Sequence, residues 1–312
     1  MHKGYNFLVM FSALLQQTGL SLDRLQSFCL VAEAGGVTKA AKGDPARQSL
    51  FSRQVKELEE FFGTELIRRR GRGVVLTPAG QRLNVAAREC FASLWDFKSE
   101  CQGLPVEIVI GAGESVIRWL LMPRLGEVQK HLPNARLKFL NLPTGETVRR
   151  LSDGLIDFGV VRRDAVGRAL RTAPLGTMGY SLFLPTKAKA GADAGAQDAK
   201  ALDGVPLATL EGEGTFRQEL AAVARKHRFR LNIQLECSSF PLVASALETG
   251  GMAAVLPSMA AVELGRAGIK EVAAAPLKSF GREICLAWNP RLLRIRTALD
   301  KAERTFAEVF RI

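Results

Sequence analysis

The residues best suited to chemistry lie between positions 38 and 72. Gln48, Ser49 and Arg53 carry side-chain donors that match base edges, and the forked guanidinium of Arg53 fits the two acceptors of guanine. Lys56, Thr38 and a crowd of arginines at 68, 69, 70 and 72 suit phosphate oxygens, which give affinity and register without sequence information. Spacing decides whether they act together. Phe51, Val55, Leu58 and Phe62 recur at steps of 4, 3 and 4, so a helix over about 47–62 buries that stripe and turns Ser49, Arg53 and Lys56 outward.

The elements that must position this face are short. Leu22, Leu25, Cys29 and Ala32 share one face of a first helix over 22–34, stopped at Gly35-Gly36. A second helix, Val37 to Lys42, packs through Ala40 and Ala41, and Gly43-Asp44-Pro45 breaks it. After Gly63, residues 65–77 read as two strands around Gly71-Arg72-Gly73, a hairpin tipped with arginine. Three helices, the third polar and outward, followed by a basic hairpin, spell a winged helix-turn-helix over 21–77. Its third helix enters a major groove, and its wing reaches the backbone.

Thr77-Pro78 supplies an N-cap and a proline at the first helical position. The helix over 78–102 places Leu83, Ala87, Cys90, Leu94, Phe97 and Cys101 at alternating steps of 4 and 3, the seam of a dimerising helix. Gly103-Leu104-Pro105 ends it. From 106 to 312 candidate strands alternate with helices, the signature of an α/β domain, and a largely parallel sheet is expected. "GAGESV" at 111–116 follows a strand and opens a helix, yet Val116 stands where a dinucleotide fingerprint needs its third glycine. It reads better as a helix N-terminus whose amides and Ser115 hydroxyl receive the anionic end of a small effector. Thr144 and Gly145, Arg162, and Thr215 occupy similar strand-to-helix ends.

Composition narrows the classes. With 312 residues, 47% of them apolar, the chain buries a substantial core, and the net charge of +12 favours polyanionic partners. Five cysteines without a CxxC argue against a disulfide framework and against zinc. His2, His131 and His227 show no metal-ligand spacing, and no Gly-x-Ser-x-Gly elbow occurs. Neither a metal nor a catalytic residue is assigned, no cofactor is expected, and the reading is not an enzyme. Phe7 to Leu15 has the length of a signal-peptide core and is too short to span a bilayer. Gln16, Gln17 and Thr18 follow it instead of a small-residue cleavage site, so a cytoplasmic chain without a membrane partner is expected.

The segments "SFCLVAEAGGVTKAAKG", "SLFSRQVKELEEFFGTELIRRRGR" and "VVLTPAGQRL" resemble the DNA-binding domain of LysR-type transcriptional regulators. "VEIVIGAGESVIRWLLMPRL" and "LSDGLIDFGVVR" are similar to that family's effector domain, a two-lobed periplasmic-binding-protein type 2 fold. The resemblance implies a recognition surface of Arg47, Gln48, Ser49, Ser52, Arg53 and Lys56, with Thr38, Arg70 and Arg72 toward the backbone. It also implies that Ser115, Thr144, Gly145, Arg162 and Thr215 line an interlobe cleft. The chain departs from the pattern at Asp44 and Ala46, where apolar turn residues are usual, at Arg47, where a small hydroxyl residue is usual, and at Gly36, which replaces a serine cap. Residues 1–20 form an extension without counterpart.

The expected organisation is therefore a winged helix-turn-helix over 21–77, a linker helix and hinge over 78–105, and an effector domain over 106–312. Lobe I would hold about 106–177 and 276–312, and lobe II about 178–275. The expected activity is sequence-specific binding of double-stranded DNA by a homodimer, and a homotetramer by resemblance, governed by a small anionic effector, with RNA polymerase as a further partner. The alternative is a solute-binding protein using the same effector fold; residues 21–102 have no place in it. A thiol sensor would rest on Cys237 and Cys285, both in apolar predicted strands where an inert core thiol is the default.

Overall fold

The computed structural model describes residues 18–71, 73–185, 202–296 and 298–312. Arg72, residues 1–17 of the N-terminal extension and the Ala/Gly-rich stretch at 188–201 lie outside the described residues. The chain divides near Gln102 into two compact units.

The first unit holds α1 (Leu22–Ala34), α2 (Val37–Ala40), α3 (Pro45–Phe62), the hairpin β1 (Ile67–Arg70) and β2 (Gly73–Leu76), and α4 (Pro78–Cys101). Phe28, Val31, Phe51, Val55, Leu58, Leu66 and Ala87 form its core, as the 3.6-residue period requires. Caps set the boundaries. Ser21 accepts from the Arg24 amide, and the Thr77 hydroxyl accepts from Gly80 N at 3.0 Å. α3 begins two residues before the expected Arg47: Pro45 takes its first turn, and the Asp44 carboxylate accepts from the amides of Ala46 and Arg47 at 2.9 and 3.3 Å. The departure at Asp44 is therefore a helix cap. Gly36, by contrast, caps α2 without any side-chain bond, as the missing serine implies.

The second unit is built on one sheet in the order β4-β3-β5-β11-β6-β9-β7-β8, with β10 also on β6. Its strands are β3 (Val106–Ala112), β4 (Ala135–Asn141), β5 (Phe158–Arg162), β6 (Arg171–Pro185), β7 (Pro206–Leu210), β8 (Asn232–Cys237), β9 (Ala253–Pro257), β10 (Ile269–Val272) and β11 (Gly281–Trp288). Its helical elements are a run over 114–131, α5 (Thr144–Ser152), α6 (Thr215–His227), α7 (Phe240–Gly250), α8 (Ala261–Arg266), α9 (Pro290–Ile295) and α10 (Ala298–Val309). The expectation of a largely parallel sheet needs correction. β3 with β4 and β5, and β7 with β8 and β9, are parallel, but every pairing of β6 and β11 is antiparallel.

The reason is the path of β6. Arg171–Gly179 pairs with β11, and from Tyr180 onward the same strand pairs with β9 and β10. One extended strand thus serves both lobes, and β11 returns beside it. Its second half carries the apolar run Tyr180 to Leu184 that marks a strand, whereas Arg171–Gly179 is interrupted by Pro174, Gly176 and Gly179. A buried ion pair ties the amino ends of β3 and β5 to the C-terminal region: Arg296 donates to Asp157 and to the Glu107 carbonyl at 3.0 Å, while Asp157 accepts from Val109 N at 2.7 Å.

Candidate nucleic-acid interface and effector cleft

Arg47, Gln48, Ser49, Ser52, Arg53 and Lys56 are all exposed on α3, and Thr38 is exposed on α2. A polar cavity of about 440 Å³ joins three elements, lined by Thr38 and Lys39 of α2, Gln48 and Ser52 of α3, and Arg69 and Val74 of the wing. Close backbone approach fixes that geometry. Val74 N donates to Gly35 O at 2.9 Å, and a Cβ on Gly73 would lie 2.8 Å from the same oxygen, so this position admits only glycine.

The cations on α3 are loosely held. Arg53 sits 3.8 Å from Glu57 and Lys56 3.7 Å from Glu60, with both cationic side chains largely exposed, so these pairs are worth little and can be exchanged for a polyanion. Arg47 lies over the Phe51 ring at 5.7 Å. Gln54, the remaining polar residue of that turn, is turned inward by a bond from Ser27. On the wing Arg70 is exposed near the tip and Arg69 lines the cavity. Lys39 was missed as a site residue; of the wing arginines read as phosphate ligands, Arg69 is the one that lines the cavity, as alternation along β1 allows.

The seam expected on α4 is divided. Ala87 is buried in the core of its own unit, which corrects its assignment to a dimer contact, and Leu83, half-buried, packs against the same core: the first turns of α4 complete the three-helix core. Cys90, Leu94, Phe97 and Cys101 are exposed, as is Trp95, so the apolar face is unpartnered only over the second half of the helix.

In the second unit, Ser115, Thr144 and Arg162 follow or end the parallel strands β3, β4 and β5, so all three collect at the carboxyl edge of one lobe, half-buried. Gly145 is exposed beside Thr144. Thr215, exposed, opens α6 after β7 in the other lobe. Arg162 faces Asp164 at 3.5 Å. Sequence reasoning missed Arg282, Glu219 and Tyr180. Arg282 donates to Glu219 at 2.8 Å, and its Nε is buried without a hydrogen-bond partner. Burial pushes the Tyr180 phenol up to about 12, with Arg282, Glu219 and Arg162 as its charged neighbours, so these four groups share one electrostatic environment. Arg282 lies two residues before Ile284, which pairs with Arg162 across β11 and β5. Period-2 alternation therefore puts both guanidiniums on one face of the sheet.

Cys285 is fully buried and burial pushes its thiol up to about 11; Cys237, half-buried, is also raised, by desolvation and Glu211. Neither has the lowered pKa of a reactive thiol. No group of His, Cys, Asp and Glu suited to a metal occurs among the described residues, and no described helix is long and apolar enough to cross a membrane.

A basic reading head of three helices and a wing, joined in one chain to a two-lobed α/β domain, defines the class of a DNA-binding module with a ligand-binding module. Family models agree with both halves: "Bacterial regulatory helix-turn-helix protein, lysR family" matches residues 22–81, and "LysR substrate binding domain" matches residues 102–310. The chain belongs to the LysR family. Among similar proteins, a "Probable nitrogen assimilation transcriptional activator" of Synechococcus elongatus is 33% identical over 46% of this chain and 47% of its own length. The regulator EstR of Acinetobacter baylyi is 26% identical over 77% and 80%. The match spans about half the length of the first of these relatives. A full-length OxyR variant from Pseudomonas aeruginosa shares the fold with a TM-score of 0.66 at 20% identity, covering 95% of this chain and 96% of that one. ArgP from Mycobacterium tuberculosis does so with a TM-score of 0.64 at 19% identity, covering 93% and 98%.

Proposed function

We propose that this chain is a cytoplasmic transcriptional regulator that binds double-stranded DNA in a sequence-specific manner and whose DNA complex or promoter activity responds to a small anionic effector. The observation that carries the first half is the cavity shared by α2, α3 and the wing. It brings hydroxyl, amide and cationic donors from three separate elements onto one surface, as a groove reader needs and a solute-binding protein does not. The exposed half of α4 pairs two copies, each presenting one reading head to a dyad, and tetramers, reached through further contacts, engage two such dyads. RNA polymerase is the partner through which occupancy becomes transcription.

The anion reading rests on Arg162, Ser115 and the buried, unpartnered Nε of Arg282. An orphaned guanidinium N–H in a low-dielectric site is costly unless an acceptor arrives, and a carboxylate supplies one. The effector acts by binding one arrangement of the assembly more tightly than another. The test is selection of a bound sequence from randomised duplexes by the full chain, followed by repetition with Ser52→Glu. Enrichment of one dyad motif that Ser52→Glu abolishes supports the reading; absence of any enriched sequence overturns it.

A further inference from the structure

Beside Cys285 on β11 lies a second cavity, of about 330 Å³, lined by Arg163, Thr172, Pro174, Thr177, Glu283 and Cys285 among others. The register explains its composition. Cys285 pairs with Pro174 and Glu283 with Thr177, while Ala287 pairs with Thr172, so these side chains share the face opposite Ile284 and Leu286. A bulge between Ile284 and Cys285 creates the space. It turns Leu175 into the core, fully buried, and leaves Gly176 with no side chain on the strand beside it. That glycine has φ +124°, and Ile312 Cβ lies 3.2 Å from where its Cβ would stand, so the backbone and the packed C-terminus both require glycine here.

Chemically the cavity is two-signed. Arg163 and Glu283 are both exposed at it, and neither has an ion-pair partner among the described residues. Arg163 belongs to the turn after β5 and Glu283 to β11, so two different elements supply the two charges. Thr172 and Thr177 add hydroxyls, and Pro174 with the neutral thiol of Cys285 makes an apolar floor. We propose that this cavity is a second ligand site, separate from the cleft at Ser115 and Arg162, for a small zwitterion of the α-amino acid class. Arg163 takes the carboxylate by a bidentate bond and Glu283 takes the ammonium, with the side chain toward Pro174 and Cys285. A plain anion would meet Glu283 and a plain cation would meet Arg163, which selects against both. The cavity also matches the ligand in scale, since sites for small molecules begin at roughly 300 Å³.

Position gives the site its leverage. β6, which lines it, is the strand that runs between the lobes, and β11 pairs with it beside the cavity, so a ligand here touches the same backbone that carries the cleft. The experiment titrates the full chain with each of the twenty L-amino acids by calorimetry, then repeats any binder on Arg163→Met, Glu283→Gln and Arg162→Ala. The expected result is a binder whose affinity falls about tenfold or more in both Arg163→Met and Glu283→Gln, and which survives Arg162→Ala within about twofold. The N-acetyl and carboxamide derivatives of that binder, each lacking one charge, should fail to bind. If no amino acid binds more tightly than about 10 mM, or if binding ignores Arg163 and Glu283, the proposal is overturned. Loss on Arg162→Ala alone would place the ligand in the cleft and equally overturn it, leaving the regulator reading intact.

Discussion

Arg118 reaches from the helical run after β3 to a forked ion pair with Glu263 on α8, its Nε 3.0 and 3.1 Å from the two carboxylate oxygens and one Nη 2.9 Å from the first. The two residues belong to different lobes. Trp119, next along the same run, is buried among Phe183, Val243, Leu247 and Leu256 of the second lobe. A helix that starts in one lobe is therefore anchored in the core of the other, once by apolar packing and once by charge.

Magnitudes separate the two anchors. The pair is 47% and 40% exposed, so Arg118→Ala should cost no more than about 1 kcal/mol, and less in about 1 M salt, where screening acts within a few ångströms. Trp119→Ala removes a buried indole and should cost about 3 to 5 kcal/mol. Urea unfolding at low and high salt measures both. A salt-independent loss at Arg118 equal to that at Trp119 would contradict this ranking.

On α3, Arg53 should read a base and Lys56 a phosphate, because only guanidinium offers two parallel donors to guanine. Arg53→Ala is expected to cost about 1 to 3 kcal/mol on the selected sequence and to relax preference at one position. Lys56→Ala should weaken all duplexes alike and lower the slope of log affinity against log salt by about 1. Mobility shifts across a salt series measure both; a sequence-selective loss from Lys56→Ala would reverse the assignment.

Cys90, Leu94, Phe97 and Cys101 are spaced 4, 3 and 4, steps that read alike in both directions. Two copies of α4 paired antiparallel about the midpoint of this stretch would set Cys90 against the partner's Cys101, and Leu94 against Phe97. Both thiols are exposed, so mild oxidation of the full chain should give a covalent dimer. Either Cys90→Ser or Cys101→Ser alone should sharply reduce it. Parallel pairing predicts the opposite, since each single variant would keep one like-with-like bridge. Undiminished crosslinking in both variants on a non-reducing gel would rule out the antiparallel register.

Much of the reading head was legible because its signals are local. The period of α3, the breaker at Gly43-Asp44-Pro45 and the hairpin at Gly71 each depend on a few adjacent residues. Asp44 shows the limit: it departs from the family pattern, yet a carboxylate before Pro45 is a cap on chemical grounds alone. Ala87 on α4 was misread because a heptad step looks the same whether its partner is another chain or the preceding helices; Ala87 meets its own core. Arg282 escaped notice for a different reason. Its role depends on a pairing between β11 and β5 more than a hundred residues apart, and no periodicity encodes that.

Two core thiols make the alkaline limit testable. Burial raises Cys29 and Cys285 from 9.0 to about 11 each. A group whose pKa is higher when folded contributes fully below its unfolded value and loses that contribution as pH rises through the folded one. Stability should therefore fall between about pH 9 and 11, by about 2 to 3 kcal/mol for each thiol. Urea midpoints across that range, compared with Cys285→Ala, check the sign: the variant should show a shallower decline whatever its starting stability. In native protein at pH 8, a thiol reagent should spare Cys29 and Cys285, both buried within the chain itself.

The effector site is the remaining prediction. Arg162 already faces Asp164 at 3.5 Å, a long contact with the carboxylate largely exposed, so that pair competes weakly with an incoming ligand. Arg282 is held by Glu219 through one Nη while its Nε stays buried and unpartnered, so the guanidinium is oriented in advance and lacks one acceptor. A small carboxylate that bridges the two arginines satisfies that N–H. Arg162→Ala and Arg282→Ala should each weaken such a ligand by about 1.5 to 3 kcal/mol, the range for bonds to charged groups. Ser115→Ala, which removes a neutral donor, should cost about 0.5 to 1.5 kcal/mol. Calorimetry of the full chain against a panel of small carboxylic acids supplies the measurement. An acid whose affinity survives all three substitutions within about twofold, roughly 0.4 kcal/mol, would show that the anion site lies elsewhere.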